Sequence, residues 1–239
     1  MSAERPKLEK RAPDPPPPPW ATDPEGLLRS RPGAVKAALT GGIATGKSLA
    51  SEIFAVFGAE RIDFDDLCRR AVAKGSPGLD EVASLFGPKV IAPDGQMDRA
   101  KVAKIVFKDK VAREALEAVI HPAAWSLMLG DLKALPPSPL VVIEVPLLFE
   151  ANLAPLFNPV IFCFAKIETQ LARLKSRDKM GRWAAKRRLK AQMPMAEKLR
   201  RADMIIDNDG PVAKTLWQVK DLWRRLTSPD FALFRDFAL

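Results

Sequence analysis

The chain has 239 residues, 47% of them hydrophobic, and carries a net charge of +9. That suits one domain with a full core plus a smaller lobe, and no apolar run reaches the roughly eighteen residues a membrane span needs. Cys68 and Cys163 lie far apart in sequence and form no metal-type spacing, which argues against a disulfide scaffold and for a reducing, cytoplasmic setting.

Residues 1–34 hold nine of the 22 prolines, five of them in a row from Pro15 to Pro19. This composition predicts a disordered or polyproline-type arm outside the core. It lacks the apolar stretch of a secretory signal. Val35 to Leu39 then reads as a strand, weakened by its alanines and Lys36. It runs into Gly41-Gly42-Ile43-Ala44-Thr45-Gly46-Lys47-Ser48, which fits the phosphate-binding pattern of Gly, four free positions, Gly, Lys and Ser/Thr. Its glycines let the backbone turn tightly and gather N–H groups on one concave face. Those groups, with the start of the next helix, suit a polyphosphate anion. Lys47 adds a charge within reach of β- and γ-phosphates, and the Ser48 hydroxyl can complete a Mg²⁺ shell. Leu49 to Phe57 follows as a helix, with Ile53, Phe54 and Phe57 on one stripe.

Ala59 to Ile62 reads as a short strand ending in Asp63-Phe64-Asp65-Asp66. Carboxylates at a strand's C-terminal end occupy the rim where open α/β sheets bind ligands. They are equally suited to capping the helix that carries Leu67, Arg69 and Val72; the local pattern leaves both readings open. From about 66 to 135 the pattern is helical, with helices over 79–86, 99–107 and 110–134. The last is expected to be interrupted at His121-Pro122, since proline disfavours helix at the residue before it. This stretch reads as a helical insertion between strands, a natural place for an acceptor-substrate lobe.

Leu140 to Val145 is the next strand. Glu144 within it can hold a Mg²⁺-bound water or pair with a basic neighbour. Pro146-Leu147-Leu148-Phe149-Glu150 follows at the rim, then the near-continuous apolar strand Val160 to Phe164, as expected of a parallel sheet covered on both faces. Between Lys166 and Arg201 thirteen Lys or Arg face three acids, so this segment carries +10 and the remainder −1. Its partner is nucleic acid or a compact anion such as a nucleotide triphosphate. Beside a phosphate loop the compact anion is the simpler choice, so no nucleic-acid partner is expected. Two helices, 168–177 and 182–191, form an arginine-rich hairpin of the kind nucleotide kinases close as a lid over about 168–201. Met204 to Ile206 is the last strand, followed by Asp207-Asn208-Asp209-Gly210. Val212 to Leu226 is an amphipathic closing helix, and 228–239 a tail whose aromatics dock on the body.

These residues together resemble the dephospho-coenzyme A kinase family. The resemblance runs in order from Leu39 to Leu226. It rests on the loop; on Asp63-Phe64-Asp65 with Arg69; on Gly95, Asp98-Arg99 and Val106-Phe107; and on Leu116-Glu117 with His121-Pro122. It continues through Pro146 to Glu150, Gln170-Leu171 with Arg177-Asp178, Arg188 with Gln192-Met193, and Ile206-Asp207-Asn208 with Gly210. The loop alone is widely shared; the rim and Asp-Asn-x-Gly segments in this order are far more particular.

The resemblance implies an α/β phosphate-loop kinase, a single domain over 35–227. It would have an open parallel sheet of about five strands flanked by helices, a helical acceptor insertion and a helical lid. It implies ATP and Mg²⁺ as cofactors and dephospho-CoA as substrate, phosphorylated on its ribose 3′-hydroxyl, by a monomer with no membrane or nucleic-acid partner. Gly42, Ile43, Ala44, Thr45, Gly46, Lys47, Ser48, Leu49, Arg177 and Asn208 would meet the nucleotide, with Ser48 on the metal. Asp65 would be the general base, with Lys47 and Arg177 its catalytic partners. Asp63, Asp65, Arg69, His121, Pro146, Leu147 and Leu148 would line the acceptor side. The chain departs from the family's pattern at Ala44-Thr45, where small Gly-Ser-like residues are usual, and at Leu49, usually Thr. Ala44 is expected to take a backbone angle that a Cβ permits, and Leu49 to cost one α-phosphate contact. The alternatives are a shikimate or nucleoside-monophosphate type kinase and, of a different class, a nucleic-acid-binding ATPase using the basic segment.

Overall fold

A computed structural model describes residues 14–21, 23, 26, 27, 30, 32–229 and 231. The first part of the proline-rich arm and most of the tail lie outside these residues. The chain divides into two units, one of residues 1–17, 33–61 and 138–239, the other of 18–32 and 62–137.

The strands are β1 (Val35–Gly41), β2 (Glu60–Asp63), β3 (Leu140–Glu144), β4 (Val160–Phe164) and β5 (Met204–Asp207), in the order β2-β3-β1-β4-β5. β1 is central and parallel to both neighbours, pairing Val35 with Leu140 on one side and Gly41 with Cys163 on the other. β5 extends the parallel ladder from β4. The alanines that weaken β1 as a sequence pattern suit this position, since every residue of the strand is buried and small side chains let flanking helices approach closely.

In the first unit, α1 (Lys47–Val56) and α9 (Val212–Leu226) cover one face of the sheet. Ile53 and Phe54 of α1 and Val219, Leu222 and Leu226 of α9 pack with Leu39, Val142, Ile161 and Ile206. Each fully buried side chain of this size contributes about 1.5–3 kcal/mol. The Trp223 indole N–H donates to the Phe57 carbonyl. Phe231, the described member of the C-terminal aromatics, packs on the same cluster.

The basic segment folds into α6 (Ile167–Asp178), α7 (Arg182–Lys190) and α8 (Met195–Arg201). The two-helix expectation missed α8, although Pro194 at its start and Glu197 in its first turn are ordinary helix-entry signals. α8 is fastened to the turn after β3. Glu150 Oε1 lies 2.6 Å from the buried Lys198 ammonium and accepts the Met193 N–H at 3.1 Å. The Arg201 guanidinium sits 4.9 Å from the centre of the Phe149 ring. Its Nε donates at 2.7 Å to Asp14, both side chains being largely buried.

In the second unit, α2 (Phe64–Ala71), α3 (Pro77–Phe86), α4 (Arg99–Val106) and α5 (Lys110–Ala134) surround Val72, Val82, Val90 and Val102. Polar caps start each helix: Asp63, Ser76, Asp98 and Asp109 accept backbone N–H bonds from the turns they open. The expected break at His121-Pro122 does not occur. α5 runs through Pro122. An interior proline costs about 3 kcal/mol or more, and the burial of Ala124, Trp125, Met128 and Leu132 beyond it offsets that cost. Arg70 clamps Asp131 of α5 through two bonds of 2.5 and 3.0 Å.

The expectation of an arm apart from the core is not met by its described residues. Asp14 is engaged in the first unit. In the second, Ala21 and Leu27 are buried and the Trp20 ring lies 5.0 Å from that of His121. These side chains, scattered among prolines, supply the anchors that composition averages out.

The Asp14–Arg201 pair yields a stability prediction. Asp14→Asn leaves the largely buried Arg201 guanidinium with the more distant Glu197 carboxylate, 4.0 Å away, and should cost on the order of 3 kcal/mol, because a poorly compensated buried charge is worse than no pair. The double variant Asp14→Leu/Arg201→Met should recover most of that loss. Urea midpoints of the three proteins measure it.

Candidate active site

β1 ends at Gly41 and α1 begins at Lys47, so the chain must reverse over five residues. Gly46 does this with φ 92°, and a Cβ there would stand 1.9 Å from Asn208 Nδ2, so both angle and space demand glycine. Ala44 corrects the expectation stated for it. Its φ is 57°, in the left-handed region that costs an L-residue roughly 1–2 kcal/mol. Strain of this kind persists only where the surroundings hold it.

The surroundings do hold it. The Thr45 carbonyl accepts from Asn208 Nδ2 at 2.7 Å, from Arg173 Nη1 at 3.1 Å and from the Cys163 thiol at 3.4 Å. Arg173 Nη1 also reaches the Ala44 carbonyl at 3.2 Å, and its Nη2 reaches that of Asn208 at 2.9 Å. Burial pushes the Cys163 thiol up to about 11, so it stays protonated and serves as a neutral donor. Thr45 Oγ1 donates to the Gly42 carbonyl at 2.9 Å. Lys47 Nζ lies 3.1 Å from the carbonyls of both Gly41 and Gly42. The Ile43 N–H donates to Gln192 Oε1 at 3.0 Å.

With its carbonyls held this way, the loop leads into a helix whose start has no side-chain cap and no acid in its first turn. The first N–H groups of such a helix have no intrahelical acceptor and favour an anion. A cavity of about 320 Å³ opens there, lined by Ala44, Gly46, Lys47, Ser48, Arg173, Ser176 and Arg177. Three cations and two hydroxyl side chains thus line one space. Arg177 is exposed and forms a two-bond pair with Asp178, at 2.6 and 3.0 Å. That pairing raises its already high pKa and holds the Asp178 carboxyl below its ordinary value.

The sequence-derived site residues separate into groups. Ala44, Gly46, Lys47, Ser48 and Arg177 line this cavity, while Gly42 borders a second one. Leu49 does not belong with them: its side chain packs on the apolar cluster of the sheet. Asn208 is buried, with Nδ2 on the loop and Oδ1 accepting from Thr215 at 2.7 Å. Both ends of its amide are engaged, so its side chain positions the loop.

Glu144 pairs with Arg61 at 3.0 Å, the basic-neighbour reading. In the turn after β3, Leu148 is buried, Leu147 is exposed and the Pro146 carbonyl accepts weakly from Thr40 at 3.5 Å. In the second unit, Asp63 is the cap of α2, with Oδ1 accepting from the Asp65 and Asp66 amides at 2.9 and 3.3 Å. Arg69 lies 3.7 Å from its Oδ2. Asp65 is exposed in the first turn of the same helix.

Sequence reasoning missed Arg173. It stands four positions before Arg177, and that spacing puts both on one face of α6. The spacing was the signal that could have found it.

A phosphate loop on the central strand of a five-stranded parallel sheet, faced by two arginines of α6, defines a phosphate-loop kinase. The model of the dephospho-CoA kinase family matches residues 35–214. The dephospho-CoA kinase of Geobacter metallireducens is 43% identical over 188 residues, covering 78% of this chain and 94% of that protein. That of Moorella thermoacetica is 42% identical over 191 residues, covering 79% and 90%. Among solved structures, TT1252 from Thermus thermophilus superposes with a TM-score of 0.73 at 30% identity, covering 82% of this chain and 99% of that one. Dephospho-CoA kinase from Campylobacter jejuni gives 0.62 at 29% identity, covering 80% and 96%. The chain belongs to the dephospho-CoA kinase family.

Two predictions follow from the site residues. Arg173→Ala removes charge-assisted bonds to loop carbonyls, each contributing about 1.5–3 kcal/mol. It should weaken ADP binding by about tenfold or more in calorimetric titration, whereas Arg177→Ala should lower turnover more than ADP affinity. The second concerns His121, whose imidazole burial holds below its ordinary 6.5. The unfolded chain therefore binds the extra proton first, and stability falls as pH drops from about 6.5 towards the folded value. Urea midpoints at pH 7 and pH 5.5 should differ more for the native chain than for His121→Gln.

Proposed function

We propose that this chain transfers the γ-phosphoryl group of ATP to the ribose 3′-hydroxyl of dephospho-CoA, giving CoA and ADP, as a cytoplasmic monomer. The observation that carries the reading is the convergence of Lys47, Ser48, Arg173 and Arg177 on one cavity at the phosphate loop, in a chain of this family.

The loop N–H groups and Lys47 bind the β- and γ-phosphate oxygens, using charge and geometry already held in place. Arg177 carries a guanidinium on an exposed helix face and meets the charge that develops as the phosphoryl group moves. Arg173 spends its donors on protein carbonyls and so keeps the cradle in shape. Mg²⁺ would be held by Ser48, an exposed hydroxyl lining the cavity, together with phosphate oxygens. One hydroxyl suits a cation that retains several waters. When bound, the ion neutralises charge on the phosphates.

Asp65 acts as the general base. The 3′-hydroxyl gives its proton to Asp65 as its oxygen bonds to the γ-phosphorus, and the bond to the β-phosphate oxygen breaks. Support for Asp65 over Asp63 comes from the cap: Asp63 is committed to two backbone amides and faces Arg69. Arg69, His121 and the turn from Pro146 to Leu148 belong to the acceptor side of this reading.

The test is purified protein with MgATP and dephospho-CoA, followed by mass spectrometry for a product heavier by one phosphate. Asp65→Asn should keep ATP binding while lowering turnover by about 100-fold or more. Wild-type turnover in that variant would remove the base assignment, and absence of product with the native chain would remove the function.

A further inference from the structure

A second cavity, of about 480 Å³, borders the phosphate loop at Gly42 and shares no lining residue with the first. Its walls include Ile167, Leu189 and Met195, and Lys186, Lys190 and Lys198 line it as well. Gln170 also lines it and is fully buried.

The Gln170 amide has a fixed orientation. Its Nε2 donates at 2.8 Å to the Ala165 carbonyl, which can accept only from a donor. The oxygen is thereby turned away from that carbonyl, and Oε1 has no hydrogen-bond partner among the described residues. It lies beside Gly42, close enough that a Cβ there would come within 3.2 Å. Buried polar atoms in native proteins have partners, and one that lacks a partner calls for an explanation. A ligand that donates an N–H supplies it.

The remaining chemistry narrows the ligand. Apolar Ile, Leu and Met side chains suit a flat ring, and the lysines in the lining suit phosphate. The volume falls in the range of small-molecule sites. A ring with an amino N–H, attached to phosphates, is a nucleotide whose base carries an exocyclic amino group, and adenine is the base of both nucleotides in the proposed reaction. Lys47, Ser48, Arg173 and Arg177 belong to the other cavity, where the triphosphate is placed, so a nucleotide here is the second substrate.

Resting on the reading under Proposed function, we propose that this cavity receives the adenine of the acceptor. Its amino group donates to Gln170 Oε1, and Gln170 selects adenine over a 6-oxo purine. No role for Gln170 in the transfer step is implied; it sets which acceptor is used.

The experiment compares kcat/KM for dephospho-CoA and for its deaminated, hypoxanthine-bearing analogue, with MgATP as donor and the full chain as enzyme. The native protein should prefer the adenine form by about 100-fold or more, because the 6-oxo group turns an acceptor towards Gln170 Oε1 where adenine's amino group donates, and a site built around that hydrogen bond rejects the analogue. Gln170→Leu should bring the two substrates to within about threefold, since the polar contact is gone and only the apolar walls remain. A structural role alone would lower both rates and leave their ratio unchanged.

Leu189→Trp, which adds bulk to the cavity wall and leaves the Gln170 amide in the chain, gives an independent reading. It should raise KM for dephospho-CoA about tenfold or more and leave KM for ATP near its native value. Three results overturn the proposal: an unchanged ratio in Gln170→Leu, an unaffected acceptor KM in Leu189→Trp, or discrimination between MgATP and MgITP that Gln170→Leu abolishes. The last would assign the cavity to the donor's purine. A native chain inactive towards dephospho-CoA would take the function and this inference together, whereas an active one with an unchanged ratio would remove the inference alone.

Discussion

The backbone carbonyl of Thr45 is the point on which the site turns. A phosphate loop works by aiming N–H groups at an anion, and that requires its carbonyls to be held elsewhere. Here Asn208, Arg173 and Cys163 all donate to the Thr45 oxygen; they come from the residue after β5, the middle of α6 and the C-terminal part of β4. The loop is thus held by two neighbouring strands and a helix. The strain at Ala44 follows from the same arrangement. Its carbonyl is pulled by Arg173, and the left-handed angle is the conformation that lets it reach.

The arginine-rich segment divides into two kinds of structure. α6 is joined to the loop through Arg173 and to the sheet through Gln170 and its bond to Ala165. α8 is joined to the turn after β3 through Lys198 and Arg201. α7, with the exposed Trp183, Arg187 and Arg188, lies between these two attachments. Segments with few buried contacts are the ones that open first, so α7 is where motion of the lid is expected to concentrate. Asp14 adds a third attachment at Arg201. It lies before residue 35, where the family match begins, and so belongs to this chain's own extension.

Much of the fold could be read from the sequence because it rests on short-range rules. The strands from Leu140 and Val160 are near-continuous apolar runs, and the closing helix Val212–Leu226 was read with its observed bounds. The rest depended on contacts between residues far apart in the chain. Pro122 breaks a helix by local propensity, yet the burial of Trp125 and Met128 beyond it keeps α5 intact. A free arm follows from proline content, yet single side chains such as Leu27 and Asp14 dock it. At the site, Lys47, Ser48 and Arg177 line the cavity; the first two were legible because the loop's spacing encodes them, and Arg177 through the family resemblance. Arg173 and the positioning role of Asn208 were not, because each acts on a backbone carbonyl that no side-chain pattern reveals. The side chain of Leu49 packs on the core, a contact that its place in the motif did not reveal.

The two arginines of α6 illustrate why charge count is a poor guide to role. They lie one helical turn apart and line the same cavity. Arg173 is tied to three backbone oxygens, an arrangement that costs little to maintain because the guanidinium fork is planar and its donors are already aimed. Its charge stays close to the loop whether or not a phosphate is present. Arg177 is tied only to Asp178, its exposed neighbour in sequence. Surface pairs of that kind contribute little net stability, so exchanging Asp178 for a phosphate oxygen loses almost nothing. One arginine therefore builds the cradle, and the other is available to respond to what enters it.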